Sequence, residues 1–464
     1  MADVAGFRAV GFATDKVALD KVVAPADVES AAERARLAAS DPHQVIRLLE
    51  PAAAPADVGE LFSKWAQDGV LKQDSGRALY RYHQEFTLPE LSGRTLVRRG
   101  VLCAVRLPSL ADGGVKAHLA VRDERVQAHA ELMLRLGLHV APVAAAYRDP
   151  ALEVDRLFRK AESAAPLLQV KTPDGTWHRL WRCGDAEVMG AVRHLFSPRK
   201  LYLLDGHERL AAMQLAGERL AAQAPMPMYA AGNYATMCLF NLEDQALLPS
   251  PCHRLVGGGA IPADELLARA APLFAVTKLA GLAQHPEKVA RTLDGWTEPQ
   301  ASFALAFPGQ PDLWQLTLLP SVDPREHGLV GHPTVTRLDP PIIEELFLRR
   351  VLGEPRTAPE PTLPPAPAPP ADAPTRPAAA APVRGPDELI AGWPIARAHD
   401  ARSALGALDG GDAWLAILSR PVPMHHVVHV ADLGQELPPR STHFFPPVLG
   451  GLAMLRLTAD EDLV

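Results

Sequence analysis

The run 201-LYLLDGHERLAAMQLAGERL-220 decides how the chain is read. An apolar stretch ends at Asp205, and helical periodicity follows it: Leu210, Met213, Gly217 and Leu220 fall on one face. A glycine between strand and helix lets the backbone come close to a ligand. The first-turn N–H groups of such a helix lack intrahelical acceptors and favour an anion. His207 and Arg209 stand beside them, so Gly206, His207 and Arg209 are expected to meet a phosphate. A simpler reading competes. Asp205 and Glu208 have the spacing of a capping box, in which Asp205 caps the helix, Glu208 reaches back and Arg209 is solvated.

Composition narrows the classes of function. With 464 residues and 48% hydrophobic content, the chain has enough material for two or three domains' worth of core. The net charge of −7 offers no basic field for collecting phosphate backbones, so nucleic acid is an unlikely partner. Cys103, Cys183, Cys238 and Cys252 form no C-x-x-C pair and read as reduced thiols rather than a disulfide framework or a zinc site. No secretory signal and no window of about 18 uninterrupted apolar residues is present. The expectation is a cytoplasmic protein without a membrane partner, of unspecified oligomeric state.

The stretch 355–386 is rich in proline and alanine, and repeated prolines exclude helix and sheet interiors. It reads as an extended tether. It divides a main body, 1–354, from a tail, 387–464, that is small for independent folding and is expected to pack back on the body. Helices are expected at 28–39, 123–137, 151–161 and 339–353, and strands at 77–86, 95–107, 234–242 and 312–319. The tail adds strand-like runs at 413–418 and 452–457. In 166–183 a Pro-Asp-Gly turn joins two strand-like runs into a hairpin. The elements alternate without a βαβ rhythm, so the fold class is α+β, with mixed sheets and helices.

No G-x-x-x-x-G-K-[ST] loop, G-x-S-x-G elbow or H-E-x-x-H pair occurs, and 257-GGG-259 reads as a turn. His425 and His426 are adjacent and would not share a face, and no metal site is assigned. Two polar stretches lie far from Asp205 in sequence. In 115-VKAHLAVRDER-125, His118 and Arg122 would reach a phosphate if the fold brings them near; otherwise the stretch is a polar entry to the next helix. In 438-PPRSTHFFPP-447, Arg440, Ser441 and Thr442 sit in a loop fenced by prolines, either a shaped site loop or a plug that buries Phe444 and Phe445.

Several ordered stretches together resemble the domain-of-unknown-function family numbered 1015. The start 7-FRAVGF-12 with 24-APADV-28 looks like that family's opening and its A-P-P-Y-D-V stretch. The runs 141-APVAAAYRDP-150, 205-DGHER-209, 241-NLEDQALLPSPCHRLV-256 and 437-LPPRSTHFFPPVLGGL-452 look like its P-V-x-x-x-Y-R-D, D-G-H-H-R, N-x-x-D…H-R-L-V and K-S-T-x-F-Y-P-K segments. The resemblance makes the tail part of the same fold, with the tether inserted. Its D-G-H-x-R turn is similar to the phosphate-binding turn of the ParB and sulfiredoxin-like group, which includes nucleotide-binding partition proteins and free-serine kinases.

The resemblance therefore implies a ParB/sulfiredoxin-like nucleotide-binding core with additional α/β elements. It also implies ATP or ADP, with Mg2+, as cofactors. The expected activity is nucleotide-phosphate binding, extending to phosphorylation of a small hydroxyl compound such as free serine. Asp27 and Asp205 are the candidate catalytic carboxylates, serving the metal or the acceptor. Gly206, His207, Arg209, His118 and Arg122 would hold phosphates. His253, Arg254, Arg440, Ser441 and Thr442 would form a supporting or substrate loop. The alternatives are a nucleotide sensor or scaffold without turnover, and a ParB-like DNA-associated switch.

Departures bear on catalysis. The family shows K-H-E where this chain has 116-KAHL-119, which puts Leu119 at the acid's place. The tyrosine of A-P-P-Y-D-V is absent although Asp27 is kept, Glu208 replaces the second histidine of D-G-H-H-R, and Pro447 replaces the lysine of Y-P-K. Loss of a general base typically costs about 10²–10⁴-fold in rate.

Overall fold

The computed structural model describes residues 2–28, 31–50, 55–88, 93–107, 113–223, 225–296, 300–354 and 388–464. The proline- and alanine-rich stretch 355–386 lies outside them. The fold is α+β, and the chain divides into two units. The first comprises Met1–Glu29, Arg34–Cys252 and Pro421–Val464; the second comprises Ser30–Glu33 and His253–Arg420.

The first unit is built on a nine-stranded sheet. Its strands in chain order are β1 (Val4–Ala5), β2 (Leu79–Thr87), β3 (Thr95–Arg106), β4 (Val115–Lys116), β5 (Val143–Tyr147), β6 (Leu168–Lys171), β7 (Trp177–Cys183), β8 (Leu201–Asp205) and β9 (Tyr234–Asn241). Their spatial order is β6-β7-β2-β3-β9-β5-β8-β4, with β1 added beside β3. The Pro-Asp-Gly turn forms the antiparallel β6–β7 hairpin. Parallel pairing occurs between β9 and β5 and between β8 and β4, so the sheet is mixed. Every residue of β9 is buried, as expected for an inner strand with continuous apolar sequence.

Two helices position the site: α1 (Asp123–Leu136) and α2 (His207–Gln223). Ala130 and Met133 of α1 and Leu210, Met213 and Ala216 of α2 share one buried cluster with Val143 and Ala145 of β5 and Leu201 and Leu203 of β8. Gly137 ends α1 in the left-handed conformation, with φ 59°, a common helix stop. Between Leu203 and Asp205 the β8–β5 register shifts by a bulge, a device that re-aims side chains at sheet ends.

The second unit has a seven-stranded sheet of β10 (His253–Val256), β11 (Phe274–Leu279), β12 (Ser302–Ala306), β13 (Leu313–Leu318), β14 (Glu388–Ile390), β15 (Trp393–Ala398) and β16 (Leu415–Ser419). Their order is β11-β13-β12-β16-β10-β15-β14, and every pair is antiparallel. Alternation along β12 sends Phe303 and Leu305 into a core with Ile342 and Phe347, and Ala304 and Ala306 into another with Ala404 and Leu408. The sheet is thus covered on both faces.

Two expectations change in detail. The helix expected at 339–353 is a short turn, Asp339–Pro341, that runs into a π-helix, Ile342–Leu352. Its buried apolar pairs Ile342/Ile343, Leu346/Phe347 and Val351/Leu352 recur at four and then five residues, which suits i→i+5 bonding better than the α period. The strand-like run at 452–457 forms a strand over Leu455–Arg456 and, at Met454, a single bridge to Val10.

Candidate functional site

The bulge at the end of β8 delivers Asp205 and Gly206 to the start of α2. Gly206 has φ +84°, and a Cβ there would lie 2.8 Å from Val143 Cγ1 and 2.8 Å from Arg209 Nη2. Only glycine accepts both the left-handed backbone and this close approach. Asp205 Oδ1 accepts a 2.6 Å hydrogen bond from the Gly206 N–H.

The capping-box reading fails on two side chains. Arg209 is 5% exposed rather than solvated. Its Nη1 donates to the Ala26 carbonyl at 3.0 Å and to Asp27 Oδ2 at 3.2 Å, and its Nη2 lies 3.7 Å from Asp205 Oδ2. Arg209 Nε and Nη2 have no hydrogen-bond partner among the described residues. Burial works against its charge, but Asp27 and Asp205 hold the guanidinium protonated more firmly than usual. Glu208 does not reach back to the helix start. Its Oε1 accepts from Arg122 Nε at 2.7 Å, and its Oε2 lies 2.8 Å from Arg125 Nε.

Three stretches remote in sequence meet here. The His118 and His207 rings stand edge to face at 4.7 Å. His118 Nε2 is 2.8 Å from Thr442 Oγ1. Main-chain bonds join the same strips: Leu437 N–H donates to the His118 carbonyl at 2.8 Å, and Ala120 N–H donates to the Leu437 carbonyl at 3.0 Å. Both histidines are buried. Burial pulls His118 down to about 4 and His207 well below the ordinary imidazole value, so both are neutral near pH 7.

The fold therefore brings together Asp27, His118, Arg122, Asp205, Gly206, His207, Arg209 and Thr442. Ser441 is buried nearby in sequence, and its hydroxyl donates to the Pro438 carbonyl at 2.7 Å. Arg440 has φ +55° and helps to hold the Glu208 carboxyl ionised. His253 and Arg254 stand apart from a loop role. They lie in β10 of the second unit, both 1% exposed, and His253 Nδ1 accepts from the Ser419 N–H at 3.2 Å. Leu119 is buried and bridges to Leu437, so no carboxylate occupies that place.

Residues that no motif announced complete the surroundings. Glu50 accepts from Arg125 Nη2 at 3.2 Å and lies 3.4 Å from Arg34 Nε. Burial, seconded by Asp27, raises its carboxyl above the usual range. His129, on the face of α1 that carries Arg125, is pulled down to about 4, first by burial and then by Arg209 and Arg125. Gln84 and Arg98, opposite one another on β2 and β3, grip the 438–447 loop from beneath. Gln84 Nε2 donates to the carbonyls of Pro446 at 3.2 Å and Pro447 at 2.9 Å, and Arg98 donates to those of Phe445 and Pro446. Both strands carry other charged and polar residues, so no local sequence signal singles out this pair.

Asp27 and Asp205 side chains are 38% and 34% exposed. Both face the Arg209 guanidinium, and among the described residues no group of three or more His, Cys, Asp or Glu could hold a metal ion. The residues present do not form a protein-only magnesium site; a Mg2+ here would take its remaining ligands from phosphate and water. The four cysteines are buried free thiols. Among the described residues no helix is long and apolar enough to cross a membrane.

None of the curated proteins matches the chain. Among solved structures, a free serine kinase in complex with AMP is similar with 12% identity and a TM-score of 0.36, covering 77% of this chain and 92% of that one. A conserved hypothetical protein from Pyrococcus furiosus is similar with 11% identity and a TM-score of 0.34, covering 78% and 96%. SbnI with a C-terminal truncation, from Staphylococcus aureus, gives 8% identity and a TM-score of 0.34, covering 78% and 90%. The family model described as "Protein of unknown function (DUF1015)" matches residues 4–339. The motif-bearing stretches of the first unit fall mostly inside that span, and the chain belongs to this family.

Proposed function

We propose that the chain binds the phosphate groups of a nucleotide, ATP or ADP, at the junction from Asp205 to Arg209. The observation that carries this reading is the Gly206 turn. It leaves no room for a Cβ at the start of a 17-residue helix, and the buried Arg209 guanidinium lies against it with two nitrogens that make no hydrogen bond among the described residues. Helix N–H groups and a guanidinium converging on one concave backbone suit a phosphate. Arg122 and Arg125 add cationic groups at the adjacent helix start. The ParB/sulfiredoxin-like relation is part of this reading.

Phosphoryl transfer to a small hydroxyl compound such as serine would need a base and charge neutralisation. Asp27 and Asp205 are the carboxylates that would serve, and both are engaged with Arg209. Leu119 supplies none. These two observations favour binding with slow or absent turnover, that is, a nucleotide sensor. A DNA-associated switch fits less well with a net charge of −7. The buried thiols suit a reducing, cytoplasmic setting.

Calorimetric titration with ATP, ADP and CTP, followed by a turnover assay with serine, tests the reading. Folded Arg209→Ala should bind about 10- to 150-fold more weakly, the worth of a charge-assisted hydrogen bond of roughly 1.5–3 kcal/mol. Equal binding by the variant and wild type would overturn the phosphate assignment.

A further inference from the structure

We propose that Glu208 is an internal competitor for the anion: its carboxylate fills the fork made by Arg122 and Arg125, and a phosphate at the Asp205–Arg209 junction must displace it. This rests on the phosphate reading above and assigns the residue that sets its affinity.

The geometry is that of an anion held by two guanidiniums. Glu208 Oε1 is 2.7 Å from Arg122 Nε, while Oε2 is 3.4 Å from Arg122 Nη2 and 2.8 Å from Arg125 Nε. Arginine holds carboxylates and phosphates with the same planar fork, so one oxyanion stands where another could. The site is also reachable. The Arg122 and Arg125 side chains are 24% and 28% exposed, and that of Glu208 is 18%. Glu208 occupies the second position of α2, one residue from Arg209, within the same helix turn as the proposed phosphate.

Charge balance makes the competition consequential. Arg122, Arg125 and Arg209 face Asp27, Asp205 and Glu208, and Arg440 also acts on the Glu208 carboxyl. Glu50 and Arg34 extend the chain of pairs. While Glu208 is in place, its carboxylate offsets part of the positive charge that a polyanion would meet here. Burial disfavours its charge, but Arg122 and Arg125, with Arg440, hold the carboxyl below its usual range, so it is ionised at neutral pH. Without Glu208 the fork loses that carboxylate and the cluster is one unit more positive than in wild type. Arg125 retains its contact with Glu50 at 3.2 Å, so the arginines stay in position.

The test uses the full chain, wild type and Glu208→Gln, titrated with ATP, ADP and pyrophosphate at fixed ionic strength, with folding followed by circular dichroism. Glu208→His serves as a second variant should the first lose structure. The expected result is binding tightened about 10-fold or more in the variants, with the gain reversed by adding Arg122→Ala. Wild type and variants that bind equally would overturn the competitor role and leave the phosphate site standing. Binding of none of the three probes by any form would overturn the phosphate reading and this inference with it. Loss of folding in both variants would make Glu208 a staple between α1 and α2, and would equally overturn the proposal.

Discussion

Replacing Gly206 by alanine tests the turn on which the site depends. Two costs add. The backbone stands at φ +84°, where an L-residue pays about 1–2 kcal/mol. The new methyl would also lie 2.8 Å from Val143 Cγ1, well inside ordinary contact, and Val143 is wholly buried in β5 and cannot retreat into solvent. Overpacking of this kind costs about 1–3 kcal/mol. The reduced freedom of the unfolded chain returns about 0.4–1 kcal/mol. The net expectation is a loss of about 2–4 kcal/mol, seen in urea unfolding as a lower midpoint at unchanged slope. A second variant separates the two costs. Val143→Ala removes the opposing methyl but leaves the dihedral strain, so the double variant should be less destabilised than the sum of the singles by about 1 kcal/mol. Gly206→Ala within about 0.5 kcal/mol of wild type would show that the turn is not tight, and the argument for close ligand approach would fall with it.

Acid should destabilise the protein earlier than its carboxylates alone would cause. Burial lowers His118, His129, His139 and His178 to about 4 and His253 to about 3 from an ordinary 6.5. Below pH 6.5 the unfolded chain takes up protons that the folded chain refuses, so stability is full above that value and falls as the pH drops towards 4. His139 is fully buried, and neither ring nitrogen is hydrogen-bonded among the described residues. His139→Leu should therefore make the slope of urea midpoint against pH shallower between 6.5 and 4.5, and an unchanged slope would contradict the assignment of a neutral buried ring. Ending the chain before residue 388 removes β16 from between β12 and β10. Amides of Ser302–Ala306 should then lose protection in hydrogen exchange, whereas retained protection would show that the second sheet closes without that strand.

What sequence could supply was local. The helix after Gly206 buries Leu210, Met213 and Gly217 as the 3.6-residue spacing requires. The 166–183 hairpin follows from its turn residues. The runs at 77–86, 95–107 and 234–242 carry enough apolar residues to mark strands, which the structure places at Leu79–Thr87, Thr95–Arg106 and Tyr234–Asn241. The site was legible only as stretches. Nothing local states that His118 meets His207, because their contact depends on where β4 and β8 lie in the sheet. The fate of Glu208 is not local either. Capping chemistry is a rule about neighbours three residues apart, and two arginines on another helix outcompete it. The π-helix is illegible to a search tuned to 3.6 residues, since its four-then-five spacing blurs at that period. The split at residues 252 and 253 depends on β10 pairing with β15 and β16, more than a hundred residues further on.

The grip of Gln84 and Arg98 on the loop at 438–447 has a consequence in time. His118 and Thr442 are separated by 324 positions in the chain. A ribosome adding roughly 5–20 residues per second takes about 16–65 s to cover that interval. During that wait His118 and Arg98 have emerged, while the hydroxyl and carbonyls that partner them do not yet exist. A nascent chain can form α2 and most of the nine-stranded sheet, yet the surroundings of His118 and Arg98 stay incomplete until synthesis has passed Pro447. Premature termination at any point before then would leave Gln84 and Arg98 without the carbonyls that they hold in the finished protein.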